Sequence, residues 1–108
     1  MKLEEVLQNL DRAVLSYQNV SLIDTDQLSE ILREVGCNLS YLVQLRNEYY
    51  SKFQSIYFNS QAKTEAAKNR EAEYKCPELD LIRKVLRHYG ALQQDIRTQI
   101  SLHKNIDR

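Results

Sequence analysis

Leu28, Val35, Leu42, Tyr49 and Ile56 recur every seventh residue through a stretch that contains no proline. Ile31, Asn38, Leu45 and Lys52 lie three positions further on, and Leu32, Leu39, Arg46 and Phe53 four further on. A helix turns about 100° per residue, so this set gathers into one stripe three positions wide. A coiled-coil seam needs only two positions; a stripe of three suits a bundle helix flanked on two sides. The spacing predicts one helix from Thr25 to Tyr57 or Phe58. At 1.5 Å per residue it is about 50 Å long, more than a compact globule of this size can use, so an elongated molecule is implied.

Local signals mark where this helix begins. Asp24 is a good N-cap, because its carboxylate can accept from the first free backbone N–H groups. Gln27 stands at N3, where it can reach back, and Ile23 and Leu28 hold the two hydrophobic-staple positions. Gly36 inside the helix costs about 1 kcal/mol relative to alanine. It permits a close helix approach, marks a kink at Gly36-Cys37-Asn38, or is a tolerated surface glycine.

Before it, Leu3, Val6, Leu7, Leu10, Ala13, Val14 and Tyr17 step by threes and fours, which predicts a shorter helix from Leu3 to Asn19. After it, Cys76-Pro77 is a break. Pro77 suits a first helical position, and Glu78 and Asp80 complement the helix dipole in the first turn. Ile82, Tyr89, Ile96 and His103 recur every seven, with Val85, Leu86, Leu92, Gln99 and Ile100 between them. The final helix is expected from Pro77 to Asn105, with Gly90 inside it. Residues 59–76 (NSQAKTEAAKNREAEYKC) have no wide apolar face and read as a solvated helical turn or short helix, the tip of a hairpin. Asn59 or Ser60 could end one helix there or cap the next.

Two glycines and one proline in 108 residues leave few residues for the turns that sheets require. The expected fold is therefore all-α: an elongated antiparallel helical hairpin with a shorter N-terminal helix packed against it, three-helix-bundle-like at that end. One domain spans 1–108. No run of 18 apolar residues is present, so no membrane span is expected. The opening MKLEEVLQNLDRA is acidic within five residues and lacks a continuous apolar stretch, so it does not read as a signal peptide. Cys37 and Cys76 then read as free, semi-buried thiols of a cytoplasmic protein.

Catalytic chemistry finds little footing. His88 and His103 lie on one helix about 22 Å apart along its axis and cannot share a site. With Cys37 and Cys76 they are the only soft metal ligands, and none is spaced as a ligand pair. Carboxylate pairs at Glu4/Glu5, Glu30/Glu34, Glu71/Glu73 and Glu78/Asp80 sit on segments that read as polar surface, whereas acid–base work needs one of them desolvated. The chain shows no Gly-rich phosphate loop and no Gly-x-Ser-x-Gly turn. The expectation is a protein that is not an enzyme, with no cofactor and no metal.

Binding has more to work with. Tyr49, Tyr50, Phe53, Tyr57 and Phe58 crowd five aromatic rings into ten residues. Tyr50 and Tyr57 fall at the edge of the core stripe and Phe58 points away from it. Edge tyrosines suit binding, because each offers a rigid apolar surface and a polar tip. Arg83, Lys84 and Arg87, with Lys63, Lys68, Arg70 and Lys75 before them, could form a basic end that includes Tyr74. RNA could be met there through phosphates and one stacked base, but Glu65, Glu71, Glu73, Glu78 and Asp80 are interleaved. The partner-binding candidates are Tyr50, Tyr57, Phe58, Arg83 and Arg87. Formal net charge is zero, which argues against a general polyanion binder. Residues 1–48 nevertheless hold four basic and eight acidic side chains, and residues 49–108 eleven and seven.

A tyrosine-rich helix (NLSYLVQLRNEYYSKFQSIYF), a polar Ala/Lys/Glu turn and a second helix (ELDLIRKVLRHYGALQQDIRTQI) together resemble small helical phage and mobile-element proteins, helical anti-CRISPR proteins among them. The resemblance covers most of the chain and transfers no site residue. It implies a compact inhibitor or modulator of a host defence machine that acts by occupying a protein surface, such as that of a CRISPR effector nuclease, in the host cytoplasm. The alternatives are a structural or self-assembling protein, as a homodimer or larger, and a small RNA- or DNA-binding accessory.

Overall fold

The computed structural model of the chain describes residues 2–21 and 24–106, for 105 and 106 the backbone alone. Among these residues it has four helices and no strand: α1 (Leu3–Asn19), α2 (Thr25–Phe58), α3 (Glu65–Lys75) and α4 (Glu78–Ile106). The overall extents are 63 × 23 × 18 Å.

The predicted cap on α2 is present: the Gln27 backbone N–H donates to Asp24 Oδ1 at 3.1 Å. The Ile23–Leu28 staple falls outside the described residues. At the far end, the Asn59 N–H donates to the Ser55 carbonyl and closes the last turn. The polar stretch after it contains a helix of its own. Thr64, rather than Asn59 or Ser60, caps α3 by accepting from the Ala67 N–H at 3.1 Å. Pro77 stands just ahead of α4, and its carbonyl accepts from the Leu81 N–H.

The other three helices all pack on α2. Asn9 of α1 meets Asn38, near the middle of α2. Along the other flank of α2, Lys68 of α3 sits by Tyr57, Cys76 by the Tyr49 carbonyl, Arg83 by Tyr50 and Gln93 by Gly36. Across these contacts the partner numbers rise from 68 to 93 as the α2 numbers run from 57 down to 36, with Tyr49 and Tyr50 out of order.

One buried core joins Val6, Leu10 and Ala13 of α1, Leu28, Ile31, Val35, Leu39 and Leu42 of α2, and Ile82, Tyr89, Ile96 and Ile100 of α4. Each fully buried Val, Leu or Ile contributes about 1.5–3 kcal/mol by removal from water. The α2 stripe keeps its periodicity beyond Leu42, but Tyr49, Phe53, Ile56 and Tyr57 are only half-buried. The cause is the partner. α3 buries only Ala72, and a single methyl cannot cover what two long helices cover at the other end.

The thiols depart from expectation. Cys37 is exposed and Cys76 is buried, so neither is semi-buried. The Cys76 thiol lies 3.6 Å from the Tyr49 carbonyl. Burial, then the nearby Glu78 carboxylate, push its pKa up. At Gly36 an added Cβ would meet only the end of the Gln93 side chain, Nε2 at 3.4 Å, so the backbone of α4 does not approach closely there.

Candidate interaction surface

The aromatic cluster lies on the weakly covered half of α2. Phe58 is 73% exposed and Tyr50 44%, while Tyr57 is half-buried. The Tyr57 and Phe58 rings meet edge to face with centroids 5.4 Å apart. With Phe53, Gln54 and Asn69 these three rings line a shallow depression of about 220 Å³ between α2 and α3. The depression exists because α3 opposes the large rings of α2 with small and polar side chains.

Cations stand over two of these rings. Arg83 lies 6.0 Å from the Tyr50 ring centre and Lys68 lies 5.8 Å from that of Tyr57. Such contacts, a guanidinium at one ring and an ammonium at the other, are each worth about 0.5–1 kcal/mol at exposed sites. The fold therefore brings Tyr50 and Arg83 together across the α2–α4 seam. Arg87 is exposed one turn beyond Arg83, and among the described residues it stands over none of these rings as Arg83 and Lys68 do. Arg46, half-buried, joins Asn47, Tyr50 and Arg83 around a second depression. Sequence reasoning set Arg46 in the apolar stripe and gave Lys68 no ring to pair with. Pairing of that kind depends on which residues α3 and α4 bring level with α2, and no single-helix pattern carries it.

The basic end expected around Tyr74 is divided. Tyr74 is 87% exposed. Lys84 pairs with Asp80 at 2.9 Å and Lys75 with Glu71 at 2.9 Å, so two of its cations are neutralised locally. Glu71 also accepts from the Ser60 hydroxyl. That hydrogen bond, and then Lys75, hold its carboxyl below the usual range. His88 is exposed, edge-on to Tyr89, and His103 is half-buried. Among the described residues, no group of three or more His, Cys, Asp or Glu side chains is placed to hold a metal ion, and no helix is long and apolar enough to cross a membrane.

No protein-family model, curated protein or solved structure matches this chain.

Proposed function

We propose that this chain is a non-enzymatic helical protein-binding protein. Its contact surface is the aromatic end of α2 (Tyr50, Tyr57 and Phe58) together with Arg83 and Arg87 of α4. The observation that carries this reading is the exposure of Phe58 beside a depression walled by Tyr50, Phe53 and Tyr57. Large rings left in water cost free energy that a partner recovers by covering them, and Tyr and Arg are enriched where binding energy concentrates. Its frame is read as an elongated antiparallel hairpin of α2 and α4 with α1 packed against one end. A rigid rod loses little conformational entropy on docking.

The resemblance to helical phage proteins supports a finer version: an inhibitor or modulator of a host defence machine, with a CRISPR effector nuclease as the first partner to try. The test is affinity capture from the native host with the wild-type chain and with Tyr50→Ala/Tyr57→Ala. Specific partners retained by the wild type and lost by a variant with unchanged helical circular dichroism support the reading. Partners held equally by both overturn the patch. Light scattering that shows a stable dimer covering Phe58, with no other protein captured, replaces it with self-assembly.

A further inference from the structure

Net charge zero conceals a segregation that only the α2–α4 register reveals. Two contacts fix that register, Gly36 against Gln93 and Tyr50 against Arg83. Two others fix the side on which α1 lies: Asn9 bonds Asn38 of α2, and Asp11 accepts from Tyr89 of α4. On α2, Tyr50 is about 120° round from Asn38, and on α4, Arg83 is about 120° round from Tyr89. The Tyr50–Arg83 side of the α2–α4 pair is thus the side away from α1. Running the same rotation along both helices places Arg46, Arg83, Arg87 and Arg97 on this face with Asn47, Gln54, Gln93 and Gln94 between them. The acids of the two helices fall elsewhere: Asp26, Glu30, Glu34, Glu48, Glu78 and Asp95 turn to other sides. Asp80 stands at the margin, paired with Lys84, and Glu73 of α3 bounds the stripe beyond Arg83. Among the described residues, none of the four arginines forms an ion pair.

The geometry points to single-stranded nucleic acid as a ligand of this face. Four unneutralised guanidiniums present phosphate-matching forks, which lysine does not offer. Tyr50 supplies a ring on which any base can stack, the pairing of cationic track and aromatic platform that single strands use. Amide side chains fill most of the spaces between the cations, with Val43 among them. Gly90 keeps the surface low there: a Cβ built on it meets nothing within 4 Å. This inference goes beyond the protein-binding reading and shares Tyr50, Arg83 and Arg87 with it; Arg46 and Arg97 lie outside that patch and separate the two in the test.

The test is fluorescence anisotropy of a labelled 15-nucleotide oligouridylate and its oligothymidylate counterpart with the full chain, titrated in salt. Four phosphate contacts predict a slope of log affinity against log salt of about −3, at roughly 0.7 per contact on a single strand. Arg46→Gln/Arg97→Gln should bring that slope to about −1.4. Arg12→Gln/Lys52→Gln removes the same charge from other faces and should leave it unchanged. Tyr50→Ala should weaken binding about tenfold, as expected for one lost stack, while Tyr50→Phe keeps it. The single Arg97→Gln variant, at an exposed position, guards against a folding defect in the double. The inference is overturned by no binding at low salt, by equal slopes for the two double variants, or by poly-L-glutamate of matched charge displacing the oligonucleotide equally well.

Discussion

The Tyr89 hydroxyl donates to Asp11 Oδ1 at 3.0 Å, tying α4 to α1 across 78 positions of chain. Tyr89 is 9% exposed and belongs to the core, whereas Asp11 is open to water. Burial first, and then the hydrogen bond to Asp11, push the Tyr89 pKa up from its ordinary value near 10.0. A raised folded-state pKa gives stability that is complete below the unfolded value and lost as pH climbs through the folded one. Urea midpoints should therefore fall as pH climbs above about 10 in the wild type, and fall less in Tyr89→Phe. At pH 7 the same variant should lose about 1 kcal/mol, the net worth of one hydrogen bond. Identical pH profiles for the two would show that this tyrosine is not the sensitive group.

Among the described residues, Asn38 is the one buried polar side chain of the core, and both its amide oxygen and its amide nitrogen have a partner. It accepts from Asn9 at 3.2 Å and donates to the Glu34 carbonyl at 2.8 Å. A single polar pair between apolar helices can specify register. Asn38→Ala should cost about 1–3 kcal/mol, because Asn9 loses its acceptor and packing is lost. A double-mutant cycle with Asn9→Ala should give a coupling of at least about 0.5 kcal/mol, as expected for residues in contact. Additive costs would mean the two amides do not act as a pair.

The two glycines should respond differently to the same substitution. Neither has a positive φ, so alanine meets no backbone strain at either position. Gly90→Ala should raise stability by up to about 1 kcal/mol, the propensity difference, since a Cβ there meets open space. Gly36→Ala must displace Gln93 Nε2 by a little and should gain less. Thermal melts of both variants check the order; a larger gain at Gly36 would contradict the packing described.

α3 is fastened by few contacts, and one of them is acid-sensitive. The Ser60 hydroxyl and Lys75 both bind Glu71 and lower its pKa below the ordinary value of 4.5. A depressed folded-state pKa contributes stability that is present above the unfolded value and lost as pH falls through the folded one. Protection factors of α3 amides, corrected for the intrinsic exchange rate, should fall below about pH 4.5 before those of the α1–α2–α4 core. Glu71→Gln should show the lower protection already at neutral pH. Thr64→Ala should weaken the same helix by about 1 kcal/mol through loss of its cap.

The helices themselves were legible because periodicity and caps are local. The predicted α2, from Thr25 to Tyr57 or Phe58, matches the observed element, and the Asp24 cap is where a carboxylate before an apolar stripe should be. The depth of burial was not legible. Tyr49 and Ile56 continue the repeat that buries Leu28 and Leu42, but their coverage depends on what α3 carries, and α3 carries alanine. Nor could a helical wheel disclose Asp11 beneath Tyr89 or Lys68 over Tyr57, since both need the offset between elements far apart in sequence. The arginine face hid for the same reason: total charge is a property of the list, while Arg46 beside Arg83 is a property of the register.

Two helices, not one, connect the aromatic end to α1: α2, about 51 Å long, meets it through Asn38 and Asn9, and α4 carries Arg83 beside Tyr50 and Tyr89 bonded to Asp11. A ligand that grips the aromatic end can therefore be felt among the α1 side chains by a slide of α4 against α2 as well as by a bend or twist of α2. The grip between those two backbones sets whether the ends act in concert or as separate devices on a common shaft.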